Sequence, residues 1–198
     1  MRNFVAHDAS GAGGLTEIVP GIALGPPLDD ADQLFDALAR EIEVSAELIR
    51  VGGSVVATAR RTGWYGDPGA TYTYSGFAHV PKPWPPVLAA LRTRLSARYA
   101  LALNSCLVGV YDDGASSVDW HSDDEPELCD RILSVSLGAL RTFLLRSATQ
   151  TVPIAVPLVH GSVLVMSVES QAIWQHSVPA EPVAGRRVNL TFRVIATD

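Results

Sequence analysis

With 198 residues and 47% hydrophobic content, the chain can bury one sizeable core, and no linker divides it, so composition argues against two domains. A formal net charge of −6 speaks against a protein that coats nucleic acid by bulk attraction; any grip on a polyanion must be local. Cys106 and Cys129 stand apart rather than in zinc or redox pairs, which excludes a disulfide scaffold and points to a reducing compartment.

The first residues, Met1 to Asp8, lack the apolar run of a signal peptide, and no stretch approaches the ~18 apolar residues of a membrane span. The expectation is a cytoplasmic monomer without a membrane partner. Residues 9 to 28 are rich in Gly and Pro and are expected to wrap the domain. Asp29, Asp30 and Asp32 then supply helix-start acids before Leu34, Phe35, Leu38 and Ile42, whose spacing predicts an amphipathic helix. A second helix is predicted from Pro85 to about Tyr99. Arg60, Arg61, Arg92, Arg94 and Arg98 would make a phosphate-contacting patch if folded onto one side, although most such clusters are solvated faces.

From Leu103 onward, short apolar runs alternate with turns: Cys106–Tyr111, Ile132–Leu137, Thr142–Leu145, Ile154–Val159, Val163–Met166, Ile173–Val178 and Val188–Ile195. Many short strands argue for a sandwich or barrel, and a double-stranded β-helix, or jelly roll, with flanking N-terminal helices (class α+β) is the expected architecture. His160-Gly161 reads as a turn, so His160 is expected in a loop.

His121 and Asp123 lie two apart, with His176 far downstream in Trp174-Gln175-His176-Ser177-Val178-Pro179. Two imidazoles and a carboxylate can occupy one face of an octahedral metal and leave positions open for a chelating cosubstrate and dioxygen. A His-x-Asp pair alone also occurs on any half-exposed strand. The segment Arg187 to Val194 adds weight: Val188, Leu190, Phe192 and Val194 share one face, and Arg187, Asn189, Thr191 and Arg193 the other. If that polar face lines a cavity, its guanidiniums need an anion, and a dicarboxylate would serve. At ~3.3 Å per residue the two arginines lie about 20 Å apart, so their side chains must lean together. The duller alternative pairs them with acids such as Asp124 or Glu125.

The motifs WHSDDEP (120–126), SVSLGALRTF (134–143), HGSVLVM (160–166), WQHSVP (174–179) and RVNLTFR (187–193) resemble the AlkB family of iron(II) and 2-oxoglutarate dependent dioxygenases. WYGD (64–67), YTYSG (72–76) and PKPWPPVL (81–88) also match, and the pattern is similar to the branch with the eukaryotic DNA-repair members. The resemblance covers roughly residues 60 to 195 and implies the same jelly roll in one dioxygenase domain, 1–198. Residues 1–60 would be an N-terminal extension, with nucleotide recognition as the role open to it. The resemblance implies His121, Asp123 and His176 as iron ligands, Arg187 on the distal carboxylate of 2-oxoglutarate and Arg193 near its chelating end. Tyr111 and Asn189 complete the expected cosubstrate contacts. The family usually carries Asn two residues before that tyrosine; Gly109 stands there, and one expected cosubstrate hydrogen bond is missing.

The implied reaction is oxidative demethylation of N-alkylated bases in DNA, of the 1-methyladenine and 3-methylcytosine type. 2-Oxoglutarate and O2 are consumed, and formaldehyde, succinate and carbon dioxide released. Methylation makes such a base cationic. Trp64, Tyr72 and Tyr74 would stack on it, at about 1–3 kcal/mol per base, with Asp124 and Glu125 near the exocyclic amine. The same aromatics could instead be core, and the same acids could answer Arg131 or Arg141. A base inside a duplex must be extruded to react. Duplex-acting relatives insert a bulky apolar residue where Val51-Gly52-Gly53-Ser54 offers glycines, so single strands are the expected preference. The alternatives are an RNA demethylase or other 2-oxoglutarate dependent hydroxylase, and a binding module that has lost catalysis.

Overall fold

The computed structural model describes residues 14–197 except 52, 53, 75, 76, 151 and 183, with backbone alone at 47–51, 56, 59, 72–74 and 77–79. Two short strands, β1 (Thr16–Val19) and β2 (Ile22–Gly25), precede helix α1 (Ala31–Glu41). Strands β3 (Ser45–Val51), β4 (Ser54–Gly66), β5 (Tyr72–Tyr74) and β6 (Phe77–His79) lead to α2 (Pro86–Tyr99). Then come β7 (Ser105–Tyr111), β8 (Val118–His121), β9 (Ile132–Gly138), β10 (Arg141–Ser147), β11 (Ile154–Leu158) and β12 (Val163–Met166). The chain closes with α3 (Val168–Gln171), β13 (Trp174–Val178) and β14 (Arg187–Arg193).

Eight strands form a major sheet in the order β1-β2-β12-β9-β14-β7-β4-β3, four form a minor sheet in the order β11-β10-β13-β8, and β5 pairs with β6. The sheets share a core in which Phe143, Leu145, Val156 and Leu158 of the minor sheet meet Tyr111, Ile132, Leu164 and Met166 of the major one. This is the expected jelly roll. On the outer face of the major sheet, Leu34 and Leu38 of α1 and Leu88, Leu91 and Leu95 of α2 cover Val108, Val110, Leu190 and Phe192. Each such leucine contributes about 1.5–3 kcal/mol through burial. Asp32 in the first turn of α1 and Arg40 in its last complement the helix dipole, and Pro86 suits the first turn of α2.

Strand β14 is buried on both faces. Val188, Leu190 and Phe192 face the helices, while Arg187, Asn189, Thr191 and Arg193 line the space between the sheets. The strict alternation in its sequence therefore separates a helix-covered face from a cavity-lining one.

Two expectations change. Residues 16–25 do not merely wrap the domain: Pro20-Gly21, with Gly21 at φ +80°, turns the chain so that β2 pairs with β12. Ile22, 1% exposed, supplies the apolar anchor. The basic residues form no single patch either. Arg60 lines the cavity between the sheets, whereas on α2 Arg92 pairs with Asp67 and Arg94 with Asp30, on the far side of the major sheet. No helix among the described residues is long and apolar enough to cross a membrane.

Candidate active site

Strand pairing assembles the predicted ligand set. His121 ends β8 and is the register partner of His176 on β13, which brings the two rings to 4.2 Å between centroids. Asp123 follows on the exit of β8, with Oδ1 3.8 Å from His121 Nε2. One ligand atom from each of the three residues lies within 4.8 Å of the others. His121 Nδ1 sits 2.7 Å from the Asp119 carbonyl, which can only accept, so Nδ1 carries the proton and Nε2 offers its lone pair. His176 is 5% exposed and stacks on Phe143 at 5.0 Å. Burial pushes its pKa down to about 4, against the pull of Asp123, so it is neutral and able to ligate near neutral pH.

Burial would raise the Asp123 carboxyl, but the Arg193 guanidinium at 2.8 Å, helped by the two imidazoles, holds it well below the usual carboxylate range. Its backbone N–H donates to Gln171 Oε1 at 3.0 Å, and Gln171 in turn donates to Ser170 Oγ. The role of Gln171 was not foreseen; a lone glutamine on a four-residue helix carries no sequence signal.

The other end of the cavity is lined by Tyr111 and Arg187. Arg187 is 1% exposed; its Nη2 donates to Ser136 Oγ at 2.9 Å and to Asn189 Oδ1 at 2.7 Å. Its Nε and Nη1 make no hydrogen bond of good geometry among the described residues, although the Tyr111 phenol lies near enough to interact with the guanidinium. Its guanidinium carbon lies 4.8 Å from the Tyr111 ring centre. Burial alone would raise the Tyr111 phenol, but the charges of Arg60 and Arg187 outweigh it and hold the group below its usual range. Asn189 Nδ2 donates to Thr191 Oγ1 at 2.8 Å, so Asn189 lines the cavity mainly as the side chain that orients Arg187.

The implied iron and 2-oxoglutarate both suit these residues. Among the described residues the imidazole and carboxylate donors converge without a fourth protein ligand, as an open metal site requires. The unsatisfied N–H groups of Arg187 would be costly to bury unless an anionic oxygen met them. One continuous cavity, partly open to solvent, joins the two ends.

The expected substrate contacts are not gathered here. Trp64 is 5% exposed, and its indole N–H donates to the Ala70 carbonyl at 3.0 Å, which leaves little of the ring for a base. Asp124 is exposed in a separate depression beside Arg146 and Gln175, and Glu125 is half-buried in the turn closed by Leu128 N–H on its carbonyl. Arg193 pairs with Asp123 at 2.8 Å. The side chains of Tyr72 and Tyr74, together with Gly52 and Gly53, lie outside the described residues. Asn104, at the start of β7, is engaged by the backbone of Ile195 and stays out of the cavity. His160 sits in a turn, accepting from Gly138 N–H. Cavity residues missed from sequence include Arg60, Leu107, Phe143 and Ser134.

The model of the 2OG-Fe(II) oxygenase superfamily matches residues 18–193. Alpha-ketoglutarate-dependent dioxygenase alkB homolog 3 of Rattus norvegicus is 39% identical over 184 residues, 86% of this chain and 62% of the rat protein. DNA oxidative demethylase ALKBH2 of Homo sapiens is 37% identical over 180 residues, 84% of this chain and 69% of the human protein. The chain thus spans less than two thirds of the rat relative, 62% of its length. Among solved structures, an oxidoreductase of the 2OG-Fe(II) oxygenase family from Burkholderia pseudomallei superposes with TM-score 0.60 at 14% identity, covering 88% of this chain and 84% of that one. That likeness concerns the fold alone.

Proposed function

Because this chain belongs to the AlkB family, within the 2OG-Fe(II) oxygenase superfamily, we propose that it is an iron(II) and 2-oxoglutarate dependent dioxygenase that demethylates N-alkylated bases in DNA. The observation that carries this reading is the pairing, in one cavity, of His121, Asp123 and His176 with a buried Arg187 whose donors await an anion. The DNA substrate is supported by the name of the human relative, a DNA oxidative demethylase.

His121 Nε2, an Asp123 oxygen and His176 would hold the metal. Arg193 keeps Asp123 ionised and aimed. Arg187, oriented by Ser136 and Asn189, binds the distal carboxylate of 2-oxoglutarate beside Tyr111. Phe143, stacked on His176, keeps water from that ligand. When bound, the iron couples decarboxylation of 2-oxoglutarate to oxidation of the N-methyl group, which leaves as formaldehyde. The protein itself needs no nucleophile; its part is orientation, charge and exclusion of water.

In this reading single strands are preferred over duplex, because Gly52 and Gly53 stand in the sequence where duplex-acting relatives carry a bulky apolar residue. The test is mass spectrometry of single-stranded DNA carrying 1-methyladenine or 3-methylcytosine, incubated with ferrous iron, ascorbate and 2-oxoglutarate. Demethylation by the wild type and not by His121→Ala is expected. Persistent methylation alongside succinate formation would reject DNA as substrate and turn attention to methylated RNA.

A further inference from the structure

The carboxylate of the ligand set sits where the sheet supports it least. β8 is the last strand of the minor sheet, and its ladder with β13 ends at the His121–His176 pair. Asp123 lies two residues further on, where the chain has left the strand and ladder bonds no longer fix its backbone. Two side-chain bonds take over. Ser122 Oγ donates to the Trp174 carbonyl at 3.1 Å, and the Asp123 backbone N–H donates to Gln171 Oε1 at 3.0 Å. Residues 121, 122 and 123 are thus each tied to one continuous stretch, 171–176, which itself carries the second histidine.

Gln171, 4% exposed, is held in one orientation. Ser170 Oγ gives its proton to the Ser167 carbonyl at 2.7 Å, so toward Gln171 it can only accept. The Gln171 amide therefore turns its NH2 group to Ser170, at 3.0 Å, and its oxygen to Asp123. At the other end of the aspartate, Arg193 takes Oδ2 at 2.8 Å, which leaves Oδ1, on the side of His121, for a metal. Backbone and carboxylate are fixed separately. Ordering a backbone has an entropic cost, and here it is met in folding rather than on metal binding.

We propose that Gln171, with Ser122, is a positioning residue for the metal: it pins the exit of β8 so that Asp123 meets the two histidines before a metal arrives and offers it a single oxygen. The proposal rests on the iron assignment above. In it Gln171 touches neither metal nor cosubstrate and acts on metal affinity through the Asp123 backbone.

The test is titration of the metal-free protein with manganese(II), without cosubstrate, read by the paramagnetic resonance of the free ion. Gln171→Met keeps the reach of the side chain and removes the acceptor; it should raise the manganese Kd about tenfold. Gln171→Glu, which keeps an acceptor oxygen at that reach, should recover most of the loss. Ser122→Ala should weaken binding in the same direction by about threefold. Val156→Ala, in the core between the sheets, calibrates a purely structural effect: it should lower the urea midpoint of the metal-free protein and leave the manganese Kd unchanged. An unchanged Kd in Gln171→Met overturns the proposal. So does a rise that Val156→Ala reproduces at an equal urea midpoint, or one that Gln171→Glu shares in full. Failure of the wild type to bind manganese would instead remove the metal assignment itself, and the role of Gln171 with it.

Discussion

The two arginines that bound the polar face of β14 have the same chemistry, the same strand and nearly the same burial, 1% for Arg187 and 2% for Arg193. Their charges are treated differently. Arg193 meets a carboxylate of its own chain, Asp123, at 2.8 Å. Arg187 meets neutral oxygens and an aromatic face, with further guanidiniums nearby. A charge matched within the protein is part of the folded state; a charge left for a ligand strains that state and is relieved on binding. In the proposed reading, one strand thus carries a structural cation at the metal end and a ligand-directed one at the other.

The sharpest way to break this contrast is to remove the matched pair. Asp123→Ala leaves Arg193 buried without its carboxylate, so the metal-free protein should lose about 3–5 kcal/mol in urea unfolding, and iron binding should vanish. A near-neutral result would mean that Arg193 is not held by Asp123. Next, Arg187→Met should leave metal-free stability unchanged or raised while weakening 2-oxoglutarate binding by about ten- to a hundredfold; Arg193→Met should destabilise by about 3 kcal/mol. Equal stability losses for the two methionine variants would dissolve the distinction.

Acid titration separates the ends again. His176, held near pKa 4 by burial, is neutral in the fold but takes a proton in the unfolded chain below its ordinary value of 6.5. Its contribution is fully present above pH 6.5 and is lost as the pH falls toward 4, by about 3 kcal/mol in all. Asp123, held lower still, keeps its charge through that window. Urea midpoints of the metal-free protein stepped from pH 7 to pH 4 should fall, and His176→Asn should flatten the profile. The smallest effect belongs to Arg61→Ala. Its pair with Asp112 is exposed, so stability should change by less than about 1 kcal/mol and 2-oxoglutarate affinity not at all. A drop in affinity would blur the alternation that separates Arg61 from Arg60.

Sequence revealed what repeats or follows a period. The alternation of Arg187 to Val194 marked the helix-covered and cavity faces, the apolar spacing of Leu34 to Ile42 marked α1, and the helix expected from Pro85 to about Tyr99 is α2. His121, Asp123 and His176 were legible as a ligand set because their motifs sit on strands and strand exits. Arg60 was not legible as a cavity residue, since which side of β4 faces the space between the sheets is set by its register with β7, which no local pattern encodes. Trp64 misled because an aromatic on an inward face reads alike as stacking platform or core, and only its bond to Ala70 and its burial decide between them. The hairpin of residues 16–25 hid behind Gly and Pro, which mark turns and say little about which sheet a short strand will join.

The glutamine that steadies Asp123 ties the metal to the beginning of the chain. Gln171 closes α3, whose preceding residue Ser167 donates its backbone N–H to the Gly21 carbonyl at 2.8 Å, and a Cβ at Gly21 would lie 2.8 Å from Ser167 Oγ. The turn of the first hairpin is therefore packed against the short helix that anchors a metal ligand. Thermodynamic reciprocity makes the coupling symmetric: whatever affinity the seated hairpin lends the metal, bound metal returns as slower hydrogen exchange at the amides of residues 16–25.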